Sequence, residues 1–85
     1  MKTFQYIVQD EVGIHARQAG LLVKETKKFN SDIQISANGK TVDAKKLMAI
    51  MSLGAKKGAE ITLSIEGEDE DAACEALEKF IRENL

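Results

Sequence analysis

Hydrophobic residues in this chain keep changing their spacing. Phe4, Tyr6 and Val8 recur at every second position, Ala16, Ala19, Leu22, Val23 and Phe29 recur at helical intervals, and the two periods alternate to the end. A period of two lines one face of a strand, and a period of three to four lines one stripe of a helix. The first strand ends near Val8, where Asp10 to Gly13 supply turn residues, and the first helix is expected from Ala16 to Phe29, with Lys27 and Lys28 in its last turn and Asn30 after it. Ile33, Ile35 and Ala37 form the next alternating run. Asn38-Gly39 follows, and because both residues tolerate positive φ it predicts a tight turn that returns Lys40 to Val42 antiparallel. Lys46 to Leu53 predicts a short apolar helix that stops at Gly54. Ile61, Leu63 and Ile65 alternate with Thr62, Ser64 and Glu66 and close at Gly67. Ala73, Ala76, Leu77, Phe80 and Ile81 predict a last helix whose start gathers Glu68 to Asp71, where the helix dipole favours negative charge. The order β-α-β-β-α-β-α, with one apolar face per element, defines an α+β fold in which helices cover one face of an antiparallel sheet.

With 85 residues, 44% of them hydrophobic, residues 1–85 are expected to form one domain around one core. Cys74 has no disulfide partner in the chain, and with His15 as the only histidine it cannot complete a structural zinc site, so no metal or cofactor is expected. Cys74 itself reads as a half-buried structural thiol among acidic neighbours. No apolar run approaches the roughly 18 residues of a membrane span, and Met1 to Val8 lacks the basic start and apolar stretch of a secretory signal. The expectation is a cytoplasmic monomer with no membrane insertion. Charge is uneven: residues 1–58 carry ten Lys and Arg against five Asp and Glu, hence +5, and residues 59–85 carry two against nine, hence −7. The basic residues spread over several elements, the net charge is −2 and no aromatic-rich RNA-binding pattern occurs, so nucleic acid is not the expected partner. Anionic small molecules or acidic proteins suit the basic half better.

The one histidine lies in Gly13-Ile14-His15-Ala16-Arg17, at the start of the first helix. A helix start presents unpaired N–H groups and a partial positive charge, so an anion at His15 would meet the backbone of Ala16, Arg17 or Gln18, with the Arg17 guanidinium beside it. The ordinary imidazole titrates near neutrality and is nucleophilic without a partner base, which makes this group a candidate phosphoryl acceptor. A helix cap or surface residue is the plainer reading of His15, and a surface helix former that of Arg17. No Ser or Cys near His15 in sequence suggests a hydrolytic triad. In the second helix, Leu47, Met48, Ile50, Met51 and Leu53 exceed what one buried stripe of eight residues needs. Leu47, Met48 and Met51 are therefore candidates for a partner surface, against the alternative that the methionines fill gaps in the core.

Gly13-Ile14-His15-Ala16-Arg17, Asn38-Gly39-Lys40, Asp43-Ala44-Lys45 and Met51-Ser52-Leu53-Gly54 resemble HPr, the histidine-containing phosphocarrier family of the bacterial sugar phosphotransferase system. The resemblance spans nearly the whole chain. It implies an open-faced β-sandwich, a four-stranded antiparallel sheet in order 1-4-2-3 with three helices on one face. It implies a carrier rather than an enzyme: His15 would be phosphorylated on Nδ1 by enzyme I, which is charged from phosphoenolpyruvate, and would pass the group to sugar-specific IIA domains. Arg17 would support the phosphate, and Lys24, Lys27, Leu47, Met48 and Met51 would form the docking face. The alternative within the same resemblance is a regulatory relative that signals carbon or nitrogen status through phosphorylation or by binding a regulator.

Three positions depart from the family pattern. Gln18 stands where proline is usual, which restores a backbone N–H and is expected to loosen the first turn. Lys46 stands where many Gram-positive members carry a regulatory serine; it offers no hydroxyl to a kinase and reverses the charge at that helix end, and Ser52 is not the matching position. Gly20 costs the first helix roughly 1 kcal/mol of propensity and is expected to allow close backbone approach.

Overall fold

The computed structural model describes residues 1–85. Seven elements follow in the expected order: β1 (Lys2–Ile7), α1 (Ala16–Thr26), β2 (Asp32–Ala37), β3 (Lys40–Asp43), α2 (Leu47–Met51), β4 (Glu60–Glu66) and α3 (Glu70–Asn84). The strands form one antiparallel sheet in the order β1-β4-β2-β3, the order implied by the resemblance. Register explains its two faces. Phe4, Leu63, Ile35 and Val42 stand opposite one another across all four strands and turn towards the helices, while the next row, Gln5, Thr62, Ser36 and Thr41, is polar. A one-residue slip would exchange these rows, so the hydrophobic pattern fixes the pairing. Asn38 and Gly39, at φ 53° and 78°, make the tight turn between β2 and β3.

The apolar row is covered by Leu22 of α1, Ile50 of α2 and Leu77 and Ile81 of α3, all fully buried. α3 packs on β1, β4 and α1, and α1 in turn packs on α2. No helix is long and apolar enough to cross a membrane, and no group of three or more His, Cys, Asp or Glu could hold a metal ion. Cys74 is half-buried on α3, and burial, helped by Glu78, raises its thiol pKa above the ordinary value.

Helix ends differ from expectation for identifiable reasons. α1 stops at Thr26, not Phe29, because the one Thr26 O–H is shared between the Val23 and Ala44 carbonyls and the next N–H groups, of Lys28 and Phe29, reach back only three residues. The Lys45 ammonium caps the Phe29 carbonyl at 2.9 Å, so the chain leaves the helix towards α2 rather than extending it. α2 is five residues long, with Lys46 and Ser52 as its caps. Gly20 has open space within 4 Å of where a Cβ would stand, so the expected close backbone approach is absent and packing gives no reason for glycine there.

Asp69, at the N-cap of α3, ties that helix to the start of β2. Its carboxylate accepts the Asn30 N–H at 2.8 Å, the Ser31 N–H at 2.9 Å and the Ser31 hydroxyl. The Ser31 hydroxyl first, and then the Asn30 N–H, hold its pKa below the usual carboxylate value. A depressed folded-state pKa gives stability that is present above the unfolded pKa and lost as pH falls through the folded one. Acid unfolding followed by circular dichroism is therefore expected to set in below about pH 4, and Asp69→Asn is expected to be less stable at neutral pH with a shallower acid limb. Superimposable acid limbs for the two proteins would contradict this assignment.

Candidate functional site

The site is built where β1, α1 and the α2–β4 connection meet. After β1 the chain turns at Asp10, whose carboxylate accepts the Val12 N–H at 2.9 Å and whose carbonyl accepts the Gly13 N–H at 3.0 Å. Gly13 has φ 83°, and a Cβ there would lie 2.3 Å from the Ala55 carbonyl oxygen and 2.6 Å from the Lys56 Cα. Only glycine fits that gap. Ile14 then donates to the Ala55 carbonyl at 3.0 Å, so the loop carrying His15 is braced against the segment that follows α2.

His15 is the N-cap of α1, extended at φ −103° and ψ 177° and half-buried. The first intrahelical bond runs from the Ala19 N–H to the His15 carbonyl at 2.9 Å, so the N–H groups of Ala16 and Arg17 lie free at the helix start. His15 and Gln18 form a capping box: the imidazole faces the Gln18 N–H, and Gln18 Oε1 accepts the His15 N–H at 3.3 Å. Charge added to the imidazole would face the helix N-terminus. Arg17 is exposed and takes part in none of the ion pairs.

Gln18 does not loosen the first turn. It is buried, and its Nε2 donates to Asp10 Oδ2 at 3.1 Å and to the Asn84 carbonyl at 2.9 Å. The lost proline ring is replaced by a side chain that pins the turn from inside the protein.

The residues expected to form a docking face lie on α1 and α2 and at their ends. Lys24 on α1, Lys27 at its C-cap and Lys46 at the N-cap of α2 are exposed and unpaired, whereas Lys28 and Lys57 are drawn to Glu25 and Glu11. On α2 only Ile50 is buried, while Leu47, Met48 and Met51 are exposed, Met48 to 74%. The apolar excess read from the sequence therefore does reach solvent. Leu21, exposed to 39%, was missed by the sequence reading. It lies four residues after Arg17 and three before Lys24, so these three share one stripe of α1 away from its buried stripe of Gln18, Ala19, Leu22 and Thr26. That offset was the signal available in the sequence.

The chain belongs to the PTS-HPr family: the family model described as the PTS HPr component phosphorylation site matches residues 2–83. A mycoplasma histidine-containing phosphocarrier protein is 40% identical over 96% of this chain and 93% of its own, with a TM-score of 0.93. The phosphocarrier protein HPr of Bacillus anthracis is 41% identical over 94% and 95% of the two chains, with a TM-score of 0.85. Crh, the catabolite repression protein of Bacillus subtilis, is 40% identical over 94% and 92%, with a TM-score of 0.78.

Proposed function

We propose that this phosphocarrier takes a phosphoryl group from phosphoenolpyruvate-charged enzyme I onto Nδ1 of His15 and hands it to sugar-specific IIA domains. The placement of His15 at the N-cap of α1, with free helix N–H groups and the unpaired Arg17 next to it, carries this reading. In the transfer, the imidazole lone pair forms a bond to phosphorus as the bond to the donor breaks in line with it. The product dianion gains hydrogen bonds from the free helix N–H groups and charge compensation from Arg17. A half-exposed acceptor suits a carrier, because each partner brings its own donor or acceptor and excludes water when it docks.

The surface around the histidine supports docking to acidic, partly apolar partner faces. Met48→Asp is expected to weaken binding to enzyme I about tenfold or more by placing a charge in an apolar contact. Its melting temperature should stay close to that of the parent, because Met48 is 74% exposed. An unchanged dissociation constant, read by calorimetry, would place Met48 outside the interface.

The likeness to Crh keeps a regulatory role in view as the second reading. Lys46 at the N-cap of α2 offers no hydroxyl, and Ser52, whose hydroxyl donates to the Ala49 carbonyl at 2.6 Å, lies at the other end of that helix. Control by serine phosphorylation at the α2 start is therefore not part of either reading. The two separate on one experiment: the phosphorylated protein is mixed with IIA domains of the same cell and the transferred label is followed. Rapid transfer to a IIA domain supports the transport relay, and a protein that is charged but discharges to none of them is a regulator.

A further inference from the structure

We propose that Gln18 is a positioning residue for transfer at His15, its amide fixing the backbone of the acceptor residue to Asp10 and to the end of α3. This rests on the phosphocarrier reading above and concerns how the acceptor is held. The Gln18 side chain is buried, and every polar group on it is used. Nε2 faces two acceptors, Asp10 Oδ2 at 3.1 Å and the Asn84 carbonyl at 2.9 Å, and neither can donate. The amide therefore has one permitted orientation, which leaves Oε1 to accept the His15 N–H. The anchors are themselves joined: the Leu85 carbonyl accepts the N–H groups of Gln9 and Asp10 at 2.8 and 3.1 Å. The β1–α1 loop, the first turn of α1 and the end of α3 thus form one hydrogen-bonded unit, with Gln18 at its centre.

The bond made by Oε1 goes to the main chain of the reacting residue itself. It holds His15 extended, and the direction of the Cα–Cβ bond, and with it the imidazole, follows from that backbone. In-line transfer is sensitive to such placement, since a shift of about 1 Å can cost about a hundredfold in rate. The amide is remote from Leu47, Met48 and Met51 in the chain and is buried, so its loss should affect the chemical step more than docking.

Gln18→Met keeps length and shape while removing all three hydrogen bonds. With the protein as the varied substrate of enzyme I, kcat is expected to fall about tenfold while KM stays within about twofold, because alignment is lost and docking is kept. Independently, exchange of the His15 backbone amide, followed by NMR, is expected to accelerate about tenfold or more relative to the Ala19 amide. Gln18→Glu, which keeps the shape and an oxygen acceptor for the His15 N–H but sets a carboxylate against Asp10 Oδ2 and the Asn84 carbonyl, provides the second variant; it is expected to shift both readouts in the same direction, and it decides the matter if Gln18→Met does not fold. An accelerated His15 amide with kcat unchanged would show that the amide is a structural cap and overturn the proposal. So would equal loss in kcat and gain in KM, or an unchanged His15 amide. Failure of the parent protein to accept phosphate would instead refute the functional reading, and the amide exchange would still report whether the clamp exists.

Discussion

Replacing His15 with alanine is expected to abolish sugar phosphorylation in a reconstituted chain of phosphoenolpyruvate, enzyme I, this protein and a IIA domain, while leaving the fold intact. The two halves of that expectation come from different parts of the residue. Loss of an N-cap side chain costs a helix about 0.5–2 kcal/mol, too little to unfold the domain. The bond that secures the turn runs from the His15 backbone N–H to Gln18, and alanine keeps it. Function has no such reserve, because His15 is the only histidine in the chain and no other side chain stands in its place. Residual flux above the level without carrier would show that another residue accepts the group. A large fall in melting temperature would show that the imidazole holds the helix start.

Arg17→Glu should separate activity from stability in opposite directions. Position 17 is in the first turn of α1, which contains no acidic residue, so a carboxylate there interacts favourably with the helix dipole by about 0.3–1 kcal/mol. Thermal unfolding should show a small gain. Phosphoryl transfer should slow, because reversal changes the charge facing the phosphate by two units. At about 4 Å each unit is worth about 1 kcal/mol even at the dielectric constant of water, which makes about 2 kcal/mol, or about 30-fold in rate. Docking removes water and enlarges the effect, and Arg17 has no partner carboxylate in the free protein that would hold it away from the phosphate. Equal transfer rates for the two proteins would remove Arg17 from the site.

The parts of this molecule that were legible in its sequence are those governed by local period and turn chemistry. Ile61, Leu63 and Ile65 point inward because alternate residues of a strand must, and Asn38-Gly39 turns because both residues accept positive φ. The surplus of apolar residues on α2 could be counted, and it reaches solvent. Features set by distant partners were not legible. α1 ends at Thr26 because that hydroxyl bonds Ala44, eighteen residues on. Gln18 tightens its turn through Asp10 and Asn84, eight and 66 residues away, so its backbone alone suggested a looser turn. Leu21 was overlooked because it adjoins the buried Leu22 in the chain, and its offset from Leu22 and Ala19 places it outside.

The most direct test of phosphoryl transfer at His15 is the intact mass of the protein after incubation with phosphoenolpyruvate, magnesium and enzyme I, before and after brief acid treatment. The structure predicts a gain of about 80 Da, one phosphoryl group, that is lost in acid and does not form on His15→Ala. No gain in mass, or a gain that survives acid or persists in the variant, would contradict it.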